Sequence, residues 1–148
     1  MMTELQVLFA NHLMATLFTG FIWYIQVVHY PIFLKISPKD FPNFHAFHTQ
    51  GTGYVVAVPM VIELGLSLLL VWLAGAQVSL VAALALLALT LFIWGVTFFW
   101  AIPIHNLLET EGFHEGRIRE LIRANAYRTA AWTIRFLMLS VLLYHCLR

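Results

Sequence analysis

Two arginines lie in "NAYRTAAWTIR", residues 125–135, a stretch otherwise apolar enough for lipid. Asn125, Arg128, Trp132 and Arg135 recur at i, i+3, i+7 and i+10, the spacing of one helix face. A charge at mid-bilayer costs upward of about 2.5 kcal/mol, so this stripe must point into protein and find partners there. At ~1.5 Å rise per residue Arg135 lies ~16 Å beyond Ala124, near a membrane midplane. Glu63 reaches a similar depth in a second apolar stretch, and no other charge does. The two are expected to pair. Chemically, a guanidinium in such a place can hold or polarise an oxyanion.

The histidines form a second pattern. Of seven, His29, His45, His48, His105 and His114 fall near one set of span ends, and only His12 and His145 fall near the other. His45 and His48 are neighbours on one face if the local chain is helical, as are Gln26 with His29 and His105 with Glu109. His29 and His105 adjoin Pro31 and Pro103, and each proline frees a carbonyl four residues back. Imidazole near neutral pH suits a general base. Neutral imidazole also ligates zinc, copper, iron and haem, although HxxxH and CxxC spacings are absent, so no metal ligand is assigned. The plain alternative is that these residues are anchors at a membrane interface, where aromatic side chains gather.

The elements that must position these groups follow from composition. The chain has 148 residues, 61% hydrophobic and 10% charged, against about 25% charged in soluble domains. It reads as a single integral membrane domain over 1–148. A net charge of +1 argues against a nucleic-acid partner. Cys146 stands alone, which excludes an internal disulfide. "MMTELQ" has no Lys or Arg, so the first apolar stretch is expected to stay rather than be cleaved. Stretches long enough to cross a bilayer run over about 8–30, 54–73, 79–102 and 124–143. The expected fold is all-α: an up-down-up-down four-helix membrane bundle, with "AGAQ" (74–77) as the turn between the second and third spans. "GFHEGRIRELIR" (112–123) is too charged to span and is expected to form a short interfacial helix between helices 3 and 4. Lys35, Lys39, Arg117, Arg119 and Arg123 all fall in the two long loops. By the positive-inside rule those loops are cytoplasmic and both termini are outside. A faint echo, "IW" followed by "PI" in 22–32 and again in 93–104, differs in spacing by one residue and does not establish a repeat.

"AIPIHNLLE" (101–109) followed by "NAYRTAAWTIR" resembles the anthrone-oxygenase-like family of four-helix membrane proteins. Pro103, Asn106, Leu108, Asn125, Arg128 and Thr129 fit that family's pattern, whereas His105 replaces a polar amide and no Trp precedes Asn125. The resemblance covers the third and fourth spans, and the first two only in hydropathy. It implies a four-helix bundle and, in a few members, oxygenation of an aromatic polyketide without a known cofactor.

Three functions fit these residues. The leading one is an oxidoreductase or oxygenase acting on a lipophilic aromatic molecule that arrives through the membrane lipid. In that reading His29, His105 and Arg128 are catalytic, Gln26, Asn106, Asn125, Trp132, Glu63 and Arg135 bind substrate, and Trp23, Trp94 and Trp132 wall the ring. The second is a haem or transition-metal carrier using His29, His48 and His105. The third is a non-enzymatic membrane subunit or small transporter, with the Glu63–Arg135 pair as a structural lock.

Overall fold

The computed structural model describes residues 2–148, all-helical among those residues, with no strand. Four helices are long and apolar enough to cross a membrane: α1 (Glu4–Phe33), α2 (Phe41–Leu73), α3 (Leu80–Glu111) and α4 (Glu115–Cys146). They exceed what a bilayer requires. At ~1.5 Å per residue α2 runs ~50 Å, against ~30 Å of hydrocarbon, so its polar first turns extend past any apolar slab. The segment "PNFHAFHTQ" is therefore helical and puts His45 and His48 on one buried face.

Local sequence explains the boundaries. Thr3 caps α1 in a reciprocal capping box with Gln6, and Ser79 accepts from the Ala82 N–H at the start of α3. Gly112 ends α3 at φ 79°, left-handed backbone that a side chain resists. His114 then caps α4 by accepting from the Arg117 N–H. The turn after α2 is tied to the start of the chain: the Glu4 carboxylate accepts from the Gly75, Gln77 and Val78 N–H groups, the last at 2.6 Å.

No separate interfacial helix stands between α3 and α4. Residues 115–123 are the first turns of α4 itself. The physical reason is one continuous stripe: Ile118, Leu121, Asn125, Arg128, Trp132, Arg135 and Leu139 are all buried, at alternating steps of three and four. Arg117 and Arg119 leave that stripe and pair with Glu111 and Glu115 on the surface.

The echo between the halves is stronger in structure than in sequence. In α1, residues Ile25–His29 are π-helical; in α3, residues Thr97–Ala101 are π-helical. Each segment ends two residues before a proline, Pro31 or Pro103. Proline cannot donate to the carbonyl four back and crowds it, and the wider turn relieves that crowding. Tyr30 and Ile102 each donate instead to the fifth carbonyl back. The two devices are 72 residues apart, the same separation as Glu63 and Arg135. Phe41 and Phe113 share that offset too, and their rings meet edge to face.

Candidate functional site: an arginine-lined cavity beside four histidines

Two polar layers lie along the stripe of α4, and they differ in completeness. In the first, Arg135 and Glu63 pair at 3.0 Å with both side chains wholly buried. Every direction of the guanidinium is occupied. Nε donates to Thr90 Oγ1 at 2.9 Å, and one terminal nitrogen donates to Asn11 Oδ1 at 2.6 Å and Ser67 Oγ at 2.7 Å. Trp132 donates its indole N–H to both Glu63 oxygens. A buried ion pair is stable only when its remaining hydrogen-bonding capacity is met, and this one is met from all four helices. Glu63, Arg135 and Trp132 thus lie together, but in the core and away from any cavity wall.

The second layer is open. A cavity of about 400 Å³ lies between α2 and α3, with Tyr30 of α1 and Arg128 of α4 at its back. Its walls are mainly apolar: Val56, Met60, Trp94, Phe98 and Ala101. His48, His105, Asn106 and Glu109 supply polarity. Val61, Phe98 and Ile102 are wall residues that also face outward, so the mouth opens on the flank a bilayer would cover. Arg128 is 93% buried, from an exposure of 7%, and its Nε has no hydrogen-bond partner. Its guanidinium stands 5.3 Å over the Trp132 ring, and Tyr30 lines the cavity with it.

Behind the wall stands a set of imidazoles from three helices. His29 Nε2 and His48 Nδ1 are 2.7 Å apart. His45 Nε2 and His105 Nδ1 are 3.0 Å apart, and His105 Nε2 meets the Tyr30 hydroxyl at 3.1 Å. The His48 and His105 rings face each other with centroids 5.5 Å apart. These contacts run in pairs rather than toward one point. Among the described residues no group of three or more His, Cys, Asp or Glu side chains is disposed to hold a metal ion. His29, His48 and His105 therefore do not form a chelating set here.

The predicted site residues divide as follows. His105, Arg128 and Asn106 line the cavity. His29 does not: it reaches the wall only through His48, and its neighbour Tyr30 takes the inward position at the end of the π-helical turn. Gln26 and Asn125 bond one another at 2.8 Å, outside the lining. Trp94 walls the cavity, whereas Trp23 is half exposed and bonds Thr133 at 3.1 Å. Neither Tyr30 nor the contact of His45 with His105 stands out from the sequence pattern. Tyr30 is one residue from both His29 and Pro31, which was the available signal.

Comparison of the chain with protein-family models, with curated proteins and with solved structures finds no match.

Proposed function

We propose that this chain is an integral membrane protein that binds a lipophilic aromatic molecule bearing an acidic oxygen, and that it acts on it as an oxygenase. One observation carries the reading: a buried guanidinium with an unpartnered Nε at the back of a mainly apolar cavity. An unpaired buried charge is costly, and a ligand that brings a phenolate or enolate oxygen removes that cost. Neutral apolar ligands would leave it in place. His105 and His48 flank the same space and supply proton acceptors within it.

The resemblance in residues 101–135 supplies the substrate class, a polycyclic phenol with an acidic ring methylene. In that chemistry the methylene loses a proton to a base. The carbanion adds dioxygen and takes up a proton to give a hydroperoxide, and loss of water leaves a ketone. Dioxygen is the oxidant: one of its atoms stays in the ketone and the other leaves as water. Arg128 would hold the substrate's oxyanion throughout.

The same reading sets the protein in an up-down-up-down passage through the bilayer, with both termini outside the cytoplasm. The basic residues of 31–40 and 112–123 then sit at cytoplasmic headgroups. The cavity mouth faces the lipid, which delivers the ligand.

The test uses two pairs of probes. Binding of 1-naphthol and 1-methoxynaphthalene to purified protein is followed by tryptophan fluorescence, and dioxygen uptake is measured with a hydroxyanthrone. Preference for the phenol over its ether, lost in Arg128→Leu, is expected together with oxygen uptake by the unaltered chain. Equal binding of phenol and ether would overturn the anion-holding role. Binding without oxygen consumption would remove the oxygenase and leave a carrier.

A further inference from the structure

Tyr30 stands between the only cation on the cavity wall and the longest run of polar side chains behind it. It lines the cavity together with Arg128, and its hydroxyl meets His105 Nε2 at 3.1 Å. A phenol donates more strongly than a neutral imidazole N–H, and an imidazole nitrogen accepts more strongly than a phenol oxygen, so the Tyr30 proton is directed to His105 Nε2. That choice propagates. With Nε2 accepting, neutral His105 carries its proton on Nδ1 and donates across 3.0 Å to His45 Nε2. His45 then holds its own proton on Nδ1, a buried atom with no partner. Glu109, one turn beyond His105 on the same helix, also lines the cavity.

We propose that Tyr30 is the residue that takes a proton from the cavity's ligand, and that His105 and His45 carry it inward as a relay. The ligand's O–H or C–H bond breaks and its proton goes to the Tyr30 oxygen. At the same time the Tyr30 proton passes to His105 Nε2, and the His105 Nδ1 proton passes to His45 Nε2. Three bonds to hydrogen break and three form, and no electron leaves the system. The products are a ligand anion beside Arg128 and a His45 imidazolium at the inner end of the relay. The groups facing Tyr30 are Arg128, His105, His48 and His29; those facing His45 are His105 and His48. The relay rests on the anion-holding cavity proposed above, but it can be tested without a ligand.

The ligand-free test is the imidazole nitrogen-15 spectrum of the full chain in lipid nanodiscs. His105 and His45 are both expected to carry hydrogen on Nδ1, with the His105 pattern changed in Tyr30→Phe. Hydrogen on Nε2 of His105 would overturn the relay, because the chain would then run the other way. The second test uses 4-octyl-2-nitrophenol, whose phenolate is coloured. Tyr30→Phe and His45→Gln should each raise the pH at which the bound probe ionises by about one unit, a tenfold loss of phenolate at fixed pH. Binding of the probe's methyl ether should be unchanged in His45→Gln, since His45 does not line the cavity. His45→Asn carries the same test if His45→Gln fails to fold. Unchanged midpoints in variants that still bind the probe would overturn the relay. Failure of the unaltered chain to bind the probe would count against the cavity reading, and the tautomers alone would then decide the relay.

Discussion

Arg135 and Arg128 sit two turns apart on one face of one helix, yet their surroundings are opposite. Arg135 meets a carboxylate, two hydroxyls and an amide, and it is sealed from every opening. Arg128 leans on an aromatic face, leaves Nε unpartnered and borders about 400 Å³ of space. Residue type alone does not separate a structural charge from a functional one. What separates them is whether the fold has already satisfied the charge. A complete network holds helices together, while an incomplete one at a cavity wall is poised for something that arrives.

The sharpest way to break the contrast is to orphan the sealed charge. Glu63→Ala strands Arg135 and should destabilise the bundle by about 3–5 kcal/mol, measured by denaturant unfolding in mixed micelles. Adding Arg135→Leu should recover much of that loss, since replacing both charges is often near neutral. A double variant no more stable than Glu63→Ala would show that the remaining partners, Asn11, Ser67 and Thr90, suffice for Arg135.

Arg128→Leu should do the reverse. Stability should change little or rise, while affinity for 1-naphthol falls ten- to a hundredfold, as expected for a charge-assisted hydrogen bond of about 1.5–3 kcal/mol. Isothermal calorimetry checks the affinity and unfolding checks the stability; a large loss of stability with binding retained would erase the distinction between the layers.

A smaller effect sharpens the boundary of the open layer. His29 touches it only through His48, so His29→Phe should alter naphthol affinity by no more than about twofold, within the roughly ±0.5 kcal/mol typical of peripheral substitutions. His48→Phe, on the wall itself, should alter it more. The last test leaves energetics untouched and asks which side the open layer faces. With Cys146 removed, cysteine at Lys39 or Arg119 should resist an impermeant thiol reagent in intact cells. Ready labelling of both would reverse the proposed orientation.

The closed layer was more legible in sequence than the open one. Glu63 and Arg135 declared themselves because charges in apolar stretches are rare and their depth can be counted along a helix. Helix α2 was read as starting near residue 54 because apolar length was the signal. The polar turns from Phe41 carry histidines that only tertiary packing buries. The stretch 112–123 looked separate because its charges dominate hydropathy, while Ile118 and Leu121 already continue the buried stripe. Tyr30 was hidden by the π-helical turn, since one extra residue per turn shifts which neighbour points inward. Counting in steps of 3.6 favours His29 there. The structure favours the residue after it.

The 72 positions separating Glu63 from Arg135 matter also while the chain is being made. Translation delivers α2 before α4, so for that interval an acidic side chain waits in the forming bundle without its cation. At membrane depth an ionisable side chain without its partner is costly. Arrival of α4 ends the exposure in one step, because the same guanidinium also engages α1, α2 and α3 through Asn11, Ser67 and Thr90. The pair therefore closes only when the last helix is made: a chain halted before Glu115 leaves Glu63 without its cation, however well its first three helices pack.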